Sequence, residues 1–159
     1  MKNFAAAGMG IIIAFFLYSI FGKISPGLLL IFNIFALVVF YFAIARGELY
    51  GAFLGTICGL IQDSFSLGIF GLSGLTLTIT GYLAGVISKK INVIPIKRTF
   101  VFVFILASFE LLLWSSLYLL IFSEIVNTGG GLIFFQPLSS AFLASLLFPF
   151  LRKIESIKV

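Results

Sequence analysis

Four long apolar runs, Phe4–Phe21, Leu28–Ala45, Thr99–Phe122 and Leu132–Leu151, are separated by short polar or basic stretches. Each supplies the roughly 20 apolar residues that a helix needs to cross the hydrocarbon layer of a bilayer. Between Gly47 and Ser88 the only charges are Glu48 and Asp63. That stretch is too long for one crossing and suits two, broken in the glycine-rich Ser64-Phe-Ser-Leu-Gly-Ile-Phe-Gly-Leu72. A re-entrant pair is the competing reading of the same residues. The pattern thus predicts an all-α membrane protein with six transmembrane helices, forming a single domain over residues 1–159.

The middle stretch carries a second pattern. Gly47, Gly51, Gly55 and Gly59 recur every four residues and lead, after one more step of four, to Asp63. Such residues lie along one ridge of a helix. Each glycine costs a soluble helix roughly 1 kcal/mol relative to alanine, so a row of them makes little sense in water. In a bilayer the row is a groove that lets another helix approach backbone to backbone. Gly81 and Gly85 continue the theme on the next segment, and Ala6, Gly10 and Ala14 on the first. These rows are candidates for helix packing or for binding a partner.

Composition narrows the function classes. The chain is 62% hydrophobic and 9% charged, too apolar for one soluble core of 159 residues. The net charge of +5 is scattered between apolar runs and builds no basic face, which argues against nucleic-acid binding. Cys58 is the only cysteine and histidine is absent, so an internal disulfide is excluded and zinc chemistry lacks its usual ligands. Catalysis by paired acids is also disfavoured, because Asp63 and Glu110 are placed at different depths. No cofactor is expected. Phe4–Gly22 is longer than a signal-peptide core and no small-x-small pattern precedes Lys23, so it reads as a retained first span.

Charge placement orients the bundle. With six spans, one side carries Lys2, Arg46, Lys89, Lys90, Lys97, Arg98, Arg152, Lys153 and Lys158, and the other carries only Lys23. The positive-inside rule then places both termini in the cytoplasm. Tyr18, Tyr41, Tyr50 and Tyr118 fall near span ends, where interfacial tyrosines gather. At ~1.5 Å per residue Asp63 lies roughly 24 Å beyond Gly47, near the outer interface. Asn33, Gln62, Thr76 and Gln136 fall in the same outer half, whereas Glu110 falls near mid-membrane. Asp63 is read either as a cap on the free N–H groups of the following segment or as part of an outer-facing polar site. If it is a cap, asparagine should replace it. Glu110 is read as a side chain hydrogen-bonded across the bundle, a partner contact, or a snorkelling ion.

Gly51-Ala-Phe-Leu-Gly55-Thr-Ile-Cys-Gly59-Leu-Ile-Gln-Asp63, then Leu67-Gly68, then Gly81-Tyr-Leu-Ala-Gly85, resembles the rod shape-determining protein MreD family. The resemblance implies a non-enzymatic component of the bacterial cell-elongation machinery in the inner membrane. It implies binding to MreC, a bitopic protein with a periplasmic domain. MreB and the enzymes of peptidoglycan synthesis would be reached through the complex, and membrane lipids would surround the spans. It also implies a fold similar to the substrate-binding subunits of energy-coupling-factor transporters. Such a vitamin-binding subunit is therefore the alternative function.

Overall fold

A computed structural model describes residues 2–65, 70–91, 93, 95–122 and 131–157, with helix the regular structure throughout these residues. The helices are α1 (Lys2–Ile24), α2 (Pro26–Ile31), α3 (Ile34–Arg46), α4 (Glu48–Phe65), α5 (Leu72–Lys90), α6 (Ile96–Phe122) and α7 (Gln136–Ile157). A short 3-10 turn, Leu132–Phe135, precedes α7. The side chains of Ala6, Arg152 and Lys153 lie outside the described set, as do Leu67, Gly68 and Lys158 altogether.

Among the described residues four stretches are long and apolar enough to cross a membrane: Ala7–Ile24, Gly27–Arg46, Ile96–Phe122 and Leu132–Leu151. They match the four runs read from the sequence. α4 and α5, with 18 and 19 residues, have the length but are less apolar, because glycine, threonine and serine occupy positions that elsewhere carry leucine or phenylalanine. The continuous helix expected over Leu28–Ala45 breaks at Phe32–Asn33 into α2 and α3. Asn33 causes the restart: its Oδ1 accepts the Ala36 N–H at 3.0 Å, a side-chain cap that competes with continuing the helix.

α3 is the centre of the bundle. Apolar on all sides, it is buried over most of its length, with Phe35, Val39 and Phe40 fully enclosed. α1, α4, α5 and α7 pack around it, and α6 closes against α5 and α7. Tyr41, expected at an interface, belongs to this core instead. Its ring meets those of Phe42 and Phe148, both 5.3 Å away. α1 presents small residues inward, with Ala7 and Ala14 buried and Gly10 against the Phe42 ring. Its Met9, Ile12, Ile13 and Phe16 face outward, where lipid rather than water is the matching solvent.

Candidate functional site

α4 and α5 form an antiparallel hairpin whose contact surface is backbone. A Cβ added to Gly55 would lie 2.6 Å from the carbonyl carbon of Leu77 and 2.8 Å from the Thr78 nitrogen. One on Gly59 would lie 2.5 Å from the Gly74 nitrogen, and one on Gly85 would lie 2.6 Å from the carbonyl carbon of Gly47. Each four-residue step along α4 is matched by a four-residue step back along α5, so Gly51, Gly55, Gly59, Gly81 and Gly85 all sit in one seam. On its open flank Thr56 Oγ1 and Thr78 Oγ1 stand 2.8 Å apart and share a hydrogen bond. At the opposite end from the turn, Lys89 Nζ donates to Glu48 Oε1 at 2.7 Å. This exposed pair is screened by solvent and serves mainly to mark the register.

The turn of the hairpin depends on Asp63. α5 begins at Gly71, whose φ of 98° lies in the left-handed region and whose missing side chain cannot cap the helix. The Asp63 carboxylate supplies the cap from the end of α4. Oδ2 accepts the Gly71 N–H at 2.9 Å and the Gly74 N–H at 3.2 Å, while Oδ1 accepts the Ser73 N–H at 3.1 Å. Three helix-start donors thereby find partners in a buried place where water is scarce.

Beside this turn lies a cavity of about 160 Å³. Asn33, Gln62, Glu110 and Gln136, separated widely in the sequence, all contribute to its wall, with Tyr18, Ser73 and Trp114 completing the polar and aromatic part. Asn33 and Gln136 reach it from helix starts, and the Asn33 side chain stands beside the Glu110 carboxyl. Because Asn33 Oδ1 is engaged by Ala36, the group it offers the carboxylate is its Nδ2. Glu110, expected apart near mid-membrane, joins the other polar residues. Its helix has 27 residues, about 40 Å, more than a perpendicular crossing needs. Asp63 is not on the wall but touches it through Ser73.

Tyr18, expected near a span end, packs its ring on Phe35 at 5.4 Å and Phe65 at 5.6 Å. Trp114 follows Glu110 by four residues, one helical turn along the same face, and that spacing is the signal that could have found it. A second hollow, a groove of about 550 Å³, runs along α6 against the 3-10 turn and the start of α7. It is mainly apolar and shares Leu111 and Ile133 with the polar cavity.

Several long apolar helices around a buried centre, with polar side chains enclosed between helix ends, define a multi-pass helical membrane protein. The family model of the rod shape-determining protein MreD matches residues 4–155, essentially the whole chain, and the chain belongs to that family. Neither a curated protein nor a solved structure gives a significant match.

Proposed function

We propose that this chain is an inner-membrane scaffold of the bacterial cell-elongation machinery that binds MreC and helps organise peptidoglycan synthesis, with no turnover of its own. Family membership over residues 4–155 is the observation that carries this reading. The proposal includes six spans in one domain, with α4 and α5 as the third and fourth, and both termini in the cytoplasm. The division of basic residues supports that orientation.

The packing bears on how a partner would be held. Bulk at the α4–α5 glycines meets this chain's own backbone, and Asn33, Asp63 and Gln136 are buried within it. These residues act as supports for the surface that MreC meets, and direct contact falls to the outward apolar helix faces and the outer ends. MreB and the wall-synthesis enzymes are reached through that complex. The test is co-expression with a tagged MreC followed by purification and a rod-shape complementation assay. A stoichiometric complex and restored rod shape are expected, and absence of both overturns the proposal.

A second reading has one observation in its favour. The polar cavity between helix ends is the kind of place where a substrate-binding subunit of an energy-coupling-factor vitamin transporter would hold its ligand. A vitamin retained through purification, with no MreC complex, would favour that reading instead.

A further inference from the structure

We propose that the polar cavity and the apolar groove beside it form one binding site for an amphiphile with a primary ammonium head group, namely an amino-lipid of the surrounding membrane. The cavity supplies acceptors. Glu110 is buried and brings a carboxyl group, one oxygen of which can receive the Asn33 amide while the other remains for a ligand. Gln62, a residue of the cavity wall, has a buried Oε1 with no hydrogen-bond partner among the described residues. An acceptor without a donor is costly where water is scarce, and a ligand N–H would satisfy it.

Charge and shape select the ligand further. Among the described residues that line the cavity and the groove none is lysine or arginine, so a head group of net negative charge gains no ion pair there. The aromatic rings of Tyr18 and Trp114 on the same wall suit a cation. A primary ammonium has three N–H donors for Glu110 and Gln62, whereas a quaternary ammonium has none. The cavity, about 160 Å³, is comparable to a hydrophobic cavity of ~150 Å³ that admits benzene, so it takes a head group of a few heavy atoms and no hydrocarbon chain. The chain has its own place. The groove, about 550 Å³, is lined by Phe104, Leu112, Leu119 and Phe134 and meets the cavity at Leu111 and Ile133. Leu112 and Phe134 are among its exposed residues, open to the side where lipid lies.

The test uses the full chain purified in mild detergent and offered phosphatidylethanolamine, phosphatidylcholine and phosphatidylglycerol with identical acyl chains, read by native mass spectrometry and thermal stability. Phosphatidylethanolamine is expected to be retained at least tenfold over the other two. Glu110→Gln is expected to remove that preference, and Ser116→Phe, which fills the groove, to lower retention of all three lipids. If Glu110→Gln fails to fold, Gln62→Leu is expected to remove the preference in its place. Equal retention of the ethanolamine and choline lipids overturns the proposal, as does an unchanged preference in whichever of Glu110→Gln or Gln62→Leu folds. Free ethanolamine is the remaining arm. Stabilisation by it equal to that by the lipid, unaffected by Ser116→Phe, overturns the amphiphile and leaves a water-soluble amine. None of these readings depends on MreC, so failure here leaves the scaffold proposal standing.

Discussion

Gly51 and Gly81 occupy each other's side-chain space. A Cβ on Gly51 lies 2.7 Å from the carbonyl carbon of Gly81, and one on Gly81 lies 2.8 Å from that of Gly51. Both distances are shorter than real carbon contacts, so neither backbone can accommodate even one methyl group without moving. The hairpin of α4 and α5 is accordingly held by fit between two main chains, which in lipid must do what the hydrophobic effect does in water.

Gly51→Ala and Gly81→Ala should therefore each destabilise the protein in detergent by about 1–3 kcal/mol, the usual range for overpacking. Gly8→Ala is the control. No atom lies within 4 Å of its added Cβ, and alanine is the better helix former, so no loss is expected. Thermal unfolding followed by circular dichroism compares the three. Equal melting of all three variants and wild type would remove the seam from the account of stability.

The sequence made this seam half legible. Four-residue spacing told which residues share a ridge, because helix geometry alone determines that. It could not tell whether the ridge faced another helix of the same chain or another protein, since both contacts select small residues for the same reason. Asp63 was legible in the same partial way. The cap was one of two readings, but the number of donors depends on where α5 starts, and that is fixed by the φ of Gly71. The cavity was the least legible feature. Its wall draws on helix starts at Asn33 and Gln136 and on a long α6, and helix breaks and depths do not follow from hydropathy.

Asp63→Asn should not behave as a neutral cap exchange. Asparagine matches aspartate where one oxygen receives one N–H. Here both oxygens receive N–H groups, and an amide nitrogen in one position would set a donor against a donor. The variant should lose about 1–3 kcal/mol, the cost of leaving a buried donor unsatisfied, and Asp63→Leu should lose at least as much. Detergent melting together with membrane abundance measures both. Wild-type stability of Asp63→Asn would show that the three bonds contribute little.

Asn33 has two tasks that substitution can separate. Serine retains an oxygen for the Ala36 N–H but is too short to replace the amide at Glu110, whereas alanine loses both. Asn33→Ser should cost about 0.6 kcal/mol, the average for a polar contact between membrane helices. Asn33→Ala should cost a further ~0.5–2 kcal/mol for the lost cap. In a Glu110→Leu background the cost of Asn33→Ser should vanish, since the contact is already gone. A double-mutant cycle on melting data reads the coupling, and zero coupling would separate the two residues energetically.

The remaining expectation concerns whether the α4–α5 hairpin spans the membrane or turns back within it. Both arrangements return Lys89 to the side of Glu48, so the 2.7 Å contact between them cannot separate the two. The turn can. Phe70 is 67% exposed at the far end of the hairpin, and the native Cys58 is fully buried and should stay silent toward thiol reagents. If α4 and α5 are the third and fourth of six spans, Phe70→Cys should react with a membrane-impermeant maleimide in intact spheroplasts. Lys90→Cys, at the basic end, should react only after lysis. A re-entrant hairpin would leave Phe70→Cys unlabelled before and after lysis, because the turn would then lie in hydrocarbon. Labelling of Lys90→Cys in intact spheroplasts would invert the bundle and overturn the assignment of both termini to the cytoplasm.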